Sequence, residues 1–389
     1  RNITSSAIRD LLKVTEQPEV ISFAGGLPSP DCFPTEELMA AAERVLVETP
    51  LAALQYGPTE GYARLREFIL TLMAERGLTI PAGQVLTLNG SQQGLDAVGK
   101  LLIDPGALVL VEQPTYMGAL QAFRPYQPRF MALPMDDDGL DLAALEQALN
   151  AGERPRFLYL VSCFQNPTGI TPSPERKRAL LELAARYRLP IVEDDPYGEL
   201  YYEGSRPPIL AAMDVEMHGE LRHVVYLSTF SKLLAPGLRV GWVIAPQELI
   251  GKLVHAKQVL DLHTGSLSQA VAYEACRDGL LHRHVPTIRA TYHARRDAML
   301  AALEQFMPPE VTWTRPKGGM FIWLKLPDQL DAANLLQASL EQKVAFVPGA
   351  AFHANGGGAN TMRLNFSHSN PERITEGVRR LARSVAELL

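Results

Sequence analysis

Short apolar runs rich in β-branched residues recur along the chain, at 85–88, 108–111, 157–161, 191–192, 224–227 and 240–244. Stretches with helical period separate several of them. One of these, 175–188, follows Ser173-Pro174, a hydroxyl able to cap the first turn and then a proline where no amide hydrogen is needed. The alternation predicts an α/β domain whose mostly parallel sheet is covered by helices on both faces. Past about residue 286 the texture changes: a long helical stretch to 306 leads into short strands at 311–314, 320–326 and 362–366 and helices at 331–341 and 371–388. This predicts a smaller α+β domain over 16–45 and 287–389, completed by the N-terminal segment, beside a large domain over 46–286.

Size and composition fit that division. A chain of 389 residues exceeds what one hydrophobic core holds, and 47% hydrophobic with 21% charged residues describes an ordinary globular protein. No apolar run approaches the roughly 20 residues that span a bilayer, and the first residues carry no signal-peptide core, so the expected location is cytoplasmic with no membrane partner. Cys32, Cys163 and Cys276 lie far apart, which predicts buried free thiols and neither a disulfide framework nor a metal site. A formal charge of −6 without a basic run argues against nucleic acid as a partner.

The strongest local signal is Ser228-Thr229-Phe230-Ser231-Lys232, followed by Gly237-Leu238-Arg239. Lys232 sits just beyond a predicted buried strand, where an ammonium is normally avoided. Among cationic or apolar neighbours such a lysine loses its proton readily and becomes an amine nucleophile suited to an aldehyde, and the hydroxyls and arginine beside it suit a phosphate. A second signal is Asn89-Gly90-Ser91-Gln92-Gln93-Gly94, which follows a strand and opens a helix. Its free amides and the helix dipole would face an anion. The spacing does not follow GxGxxG, which argues against a nicotinamide dehydrogenase.

Together these segments resemble the motifs of fold-type-I pyridoxal 5′-phosphate (PLP) enzymes, the family of aspartate aminotransferase. The resemblance runs from about Phe23 to the C-terminus. It implies the PLP-dependent transferase fold, PLP as cofactor, and Lys232 as its covalent anchor and the proton-transfer catalyst of a ping-pong exchange with 2-oxoglutarate. Ser91, Gln92, Thr229, Ser231 and Arg239 would bind the phosphate. Asn166, in Asn166-Pro167-Thr168-Gly169, would reach the pyridine O3′ and border the substrate. Asp194, in Asp194-Asp195-Pro196-Tyr197, would pair with the pyridine nitrogen and Tyr197 with O3′, leaving Asp195 as a solvated or capping acid. Tyr116 would stack on the ring. Tyr56, in Gln55-Tyr56-Gly57, would reach the site of the neighbouring subunit and make the active form a homodimer. Arg363, in Thr361-Met362-Arg363, would clamp the substrate carboxylate, although an arginine on such a strand is ordinarily a solvated one.

A narrower resemblance concerns the start of the chain. Ser5-Ser6-Ala7-Ile8-Arg9 with Ser22-Phe23-Ala24-Gly25-Gly26 is similar to the N-terminal segment of bacterial 2-aminoadipate aminotransferases of lysine biosynthesis. It implies a helix at 1–15 over the active site, Arg9 at the distal carboxylate of an acidic substrate, and Gly26 lining the pocket. The alternatives are an aromatic, kynurenine or branched-chain aminotransferase, a PLP lyase or decarboxylase, and the PLP-binding effector domain of a transcription regulator. Too few residues precede Ser22 in this chain for the winged helix that such a regulator would need.

Overall fold

The structure is a computed structural model that describes residue 17 and residues 19–389; the helix expected at 1–15, and Arg9 with it, lie outside the described residues. The chain opens with β1 (Ile21–Ser22) and then builds a large sheet from β2 (Val85–Leu88), β3 (Leu108–Gln113), β4 (Arg129–Asp136), β5 (Gly139–Leu140), β6 (Phe157–Val161), β7 (Ile191–Asp194), β8 (Val224–Thr229) and β9 (Gly241–Ile244). Their order is β2-β9-β8-β7-β6-β3-β4-β5. The run from β8 through β7, β6 and β3 to β4 is parallel, whereas β9 lies antiparallel between β2 and β8. Every residue of β2, β6, β7, β8 and β9 is buried, the pattern of strands covered on both faces.

Strands β4 and β5 were not expected from the apolar pattern. In β4 the sequence Arg-Phe-Met-Ala-Leu-Pro-Met-Asp has one fully buried position, because it lies toward one side of the sheet and pairs only with β3 and the two-residue β5. The helix Pro174–Tyr187 starts as read: Ser173 accepts from the Arg176 amide at 3.1 Å and Pro174 takes the first position. All three cysteines are buried and free.

A second sheet has the order β10-β11-β14-β13, formed by β10 (Thr312–Trp313), β11 (Phe321–Lys325), β13 (Val347–Pro348) and β14 (Thr361–Asn365), all antiparallel. The N-terminal segment joins it through β1, which pairs in parallel with β12 (Val344–Ala345), and through Phe23, whose carbonyl accepts from the Asn365 amide at 2.9 Å. The amphipathic helix Pro371–Leu388 buries Ile374, Val378, Leu381, Ala382 and Val385 and packs on the helix Leu280–Phe306. That long helix contains Pro286, so the residue near which the texture changes lies inside one continuous element. Among the described residues no helix is long and apolar enough to cross a membrane.

Candidate active site

The C-terminal ends of the parallel strands, where ligands collect in open α/β sheets, converge on a cavity of about 290 Å³. It is lined by Gly26, Ser91, Gln92, Tyr116, Asn166, Asp194, Tyr197, Thr229, Ser231, Lys232, Arg239 and Arg363, which brings together all but two of the residues expected at the site. Arg9 is outside the described residues. Tyr56 is 79% exposed and is not part of this lining, with its ring edge-on to His263 at 5.8 Å.

Lys232 is delivered by the single helical turn Phe230–Lys232 that ends β8. Its amine donates to the Gly26 carbonyl at 2.8 Å. Burial, with Arg363 and Arg239 nearby, lowers its pKa to about 8, so near neutral pH a minor fraction, on the order of a tenth, is already the neutral nucleophilic amine, far more than for a solvated lysine. The turn is held by Thr229, whose hydroxyl accepts from the Ser231 amide at 3.1 Å and donates to the Val240 carbonyl at 3.1 Å.

One end of the cavity is an anion cradle. The helix Ser91–Leu102 points its first amides into it, and those amides have no preceding carbonyl within the helix. Gly90 precedes it with φ +81°, and a Cβ there would lie 2.5 Å from Nη2 of Arg239, so glycine lets the guanidinium lie against the turn. Arg239 donates to the Asn89 carbonyl at 3.1 Å. The Gln92 side-chain Nε2 is directed elsewhere, to the Gly118 carbonyl at 2.9 Å, which leaves its backbone amide to the cradle. Gly118 in turn sets the Tyr116 ring, which would lie 2.4 Å from any Cβ placed there.

At the floor, Tyr159 donates to Asp194 Oδ2 at 3.0 Å, while the buried Oδ1 has no partner among the described residues. Burial raises the Asp194 pKa to about 7, the Tyr159 bond opposes that rise and Asp195 adds to it. The expectation of a solvated Asp195 needs correction: the residue is buried and pairs with the equally buried Arg76 at 2.5 Å. It also accepts from Tyr226 at 3.0 Å and caps the Gly198 amide at 2.9 Å.

Arg363 likewise departs from the ordinary reading of a strand arginine. It sits on β14, an inner strand, 2% exposed, with its guanidinium 4.2 Å above Phe321 and 5.0 Å from Phe352. It donates to Asn166 Oδ1 at 2.8 Å and to the Ala24 carbonyl at 2.7 Å, and its Nε has no partner among the described residues. A buried cation held by neutral acceptors retains attraction for an anion. Sequence reasoning missed Val161, Pro196, Pro236, Gly25 and Leu27 in the lining, and Tyr159 beneath it. The tyrosine carried no signal because it lies inside an apolar strand.

Among the described residues one set of metal-capable side chains occurs, Asp214, His218 and His223. Asp214 there accepts from the amides of Arg222, His223 and Val224 and from His218, which closes a turn before β8.

The chain matches the family described as Aminotransferase class I and II over residues 19–381. It is 50% identical over 388 residues to the 2-aminoadipate transaminase of Thermus thermophilus, covering 100% of this chain and 95% of that one. It is 45% identical to aromatic-amino-acid aminotransferase 1 of Thermococcus litoralis, covering 98% and 92%. The crystal structure of alpha-aminoadipate aminotransferase from Thermus thermophilus, complexed with N-(5′-phosphopyridoxyl)-L-leucine, matches with a TM-score of 0.93 at 47% identity, over 100% of this chain and 96% of that one. The chain belongs to the class I and II aminotransferase family. It is a PLP-dependent aminotransferase.

Proposed function

We propose that the enzyme moves an amino group between 2-aminoadipate, or a similar long acidic amino acid, and 2-oxoglutarate, with Lys232 as its catalytic residue. The observation that carries the chemistry is the Lys232 amine, held 2.8 Å from Gly26 O in a cavity that also presents Arg239, Arg363 and a carboxylate oxygen of Asp194 with no partner among the described residues. These residues fit PLP: a cradle for its phosphate, a carboxylate with one available oxygen for its ring nitrogen, and an amine for its aldehyde. When bound, PLP supplies the aldehyde and an electron-withdrawing ring.

The chain's own groups would do the rest. Ser91, Gln92, Thr229, Ser231 and Arg239 would hold the phosphate; Asn166 and Tyr197 would hold O3′, Tyr116 the ring face, and Asp194 the proton on the ring nitrogen. Arg363 would bind the substrate α-carboxylate through paired N–H groups and so orient the Cα–H bond toward Lys232. Lys232, freed by the incoming amine, would take that proton and return it to the cofactor side. Residues 16–45 and 287–389 would act as one unit, a division supported by the β1–β12 pairing.

Substrate choice follows from the cations. Those lining the described cavity are Lys232, Arg239 and Arg363, each already given a task. A distal carboxylate would therefore need a cation from beyond these residues; Arg9 would take that role, and Gly26 lines the cavity. The 2-aminoadipate transaminase relative supports the acidic donor, and the aromatic aminotransferase relative supports breadth toward apolar donors. Exposed Tyr56, with exposed Val47, Leu51 and Leu54 on the preceding helices, supports a homodimer in which Tyr56 enters the neighbouring site. The test mixes the PLP-loaded enzyme with a panel of amino acids and follows loss of the near-visible cofactor absorption. 2-Aminoadipate and glutamate should react with kcat/KM at least equal to leucine and phenylalanine; inert acidic donors would overturn the assignment.

A further inference from the structure

Behind the anion cradle lies a charged network that none of the assigned roles uses. Lys257 is fully buried on the helix Gln247–Asp261. Its amine donates to Asp261 Oδ1 and Oδ2 at 3.0 and 3.1 Å and to Gln93 Oε1 at 2.7 Å. Asp261 Oδ2 accepts further from Asn89 Nδ2 at 2.5 Å and Gln93 Nε2 at 2.6 Å, and Gln93 Oε1 accepts from the Asn89 amide at 2.9 Å. Asn89 and Gln93 bracket Gly90-Ser91-Gln92, so both Lys257 and Asp261 bond to the turn that forms the cradle.

Its location is costly in three separate ways. A buried ammonium loses hydration, and burial indeed lowers the Lys257 pKa while Asp261 opposes the fall. Asp261 is the last residue of its helix, where a negative charge opposes the dipole. Leu262, directly after it, takes φ +65° and ψ −58°, a region that a branched side chain rarely adopts. Simple packing of the helix would need none of these. The same turn continues into His263, whose Nε2 accepts from the Gly57 amide at 3.3 Å beside Tyr56.

We propose that Lys257 and Asp261 form a positioning unit that fixes Asn89 and Gln93, and through them aims the Ser91 and Gln92 amides and Arg239 at the cofactor phosphate. The inference rests on the reading of this turn as the phosphate cradle. Neither residue lines the cavity. Fixing the cradle in advance removes the ordering cost that the phosphate would otherwise have to meet on binding.

The test uses full-length apoenzyme of the wild type, Asp261→Asn, Lys257→Met and the double variant, titrated with PLP and with pyridoxal, which lacks the phosphate. Asp261→Asn is the gentler change, since that side chain is partly exposed, and it keeps the test open should Lys257→Met fold poorly. Each single variant should bind PLP about tenfold more weakly, on the scale of a lost charge-assisted bond, and pyridoxal equally well. The double variant should be no worse than the poorer single one, because the two act as a unit, and the 31P resonance of bound PLP should move in all three. Unchanged PLP affinity and 31P resonance would overturn the inference, as would equal loss of PLP and pyridoxal. A wild type that fails to prefer PLP over pyridoxal would instead overturn the cradle reading beneath it.

Discussion

Tyr159 donates to one oxygen of Asp194 at 3.0 Å and leaves the other buried and, among the described residues, without a partner at the floor of the cavity. The asymmetry gives the carboxylate one fixed side and one available side. Tyr159→Phe keeps the ring and deletes the bond that restrains the upward shift of Asp194. The Asp194 pKa should rise further, so its carboxylate is lost at a higher pH on acidification. The acid limb of the kcat/KM profile should move upward, with a loss of about tenfold or less at neutral pH. Asp194→Ala should cost about a hundredfold or more in kcat. An unchanged profile in Tyr159→Phe would count against Asp194 as the ring's partner.

Arg363 should respond differently to two kinds of substrate. Arg363→Lys retains charge but loses the planar fork, and kcat/KM for every amino-acid donor should fall about a hundredfold, mostly through KM. An alkylamine, with no α-carboxylate, should react as poorly with wild type as with the variant. Losses shared by both substrates would make Arg363 a structural cation.

The Lys232 amine governs capture of the cofactor. Its pKa is lowered to about 8, so below that value the amine is increasingly protonated and unreactive, and above it the neutral form dominates. The rate at which apoenzyme takes up PLP covalently should rise with pH and level off above about pH 8. A rate that keeps climbing toward pH 10 would indicate an ordinary solvated lysine.

Much of this site was legible before any coordinates, because the groups concerned break the rules of their surroundings. Lys232 ends a buried strand, and Asn89-Gly90-Ser91 opens a helix directly from one. In the large sheet the strands that were legible are those buried on both faces; β4 was not, since it carries Arg129, Pro134 and Asp136 and buries one position fully. Asp195 and Arg363 were harder to judge, because burial of a charge depends on partners distant in sequence, Arg76 for one and Asn166 for the other. Lys257 and Asp261 carried no signal for the same reason: an i,i+4 pair on a helix reads as a solvated one, and only the fold places Asn89 and Gln93 against it.

Arg9 supplies the test of substrate choice. Arg9→Gln should lower kcat/KM for 2-aminoadipate and glutamate by about tenfold to a hundredfold, the scale of one charge-assisted bond, and leave leucine and aromatic donors nearly untouched. Equal losses for all donors would remove the proposed cause of the acidic preference.

The proposed bond between Lys232 and the cofactor is open to a direct chemical test. Borohydride reduction of the PLP-loaded enzyme, followed by proteolysis and mass spectrometry of the peptides, reads that bond directly. A phosphopyridoxyl group on the peptide containing Ser231-Lys232-Leu233, absent from Lys232→Ala prepared the same way, is the predicted result. The same label on another lysine, Lys257 included, or no label on an enzyme that still transaminates, would contradict it.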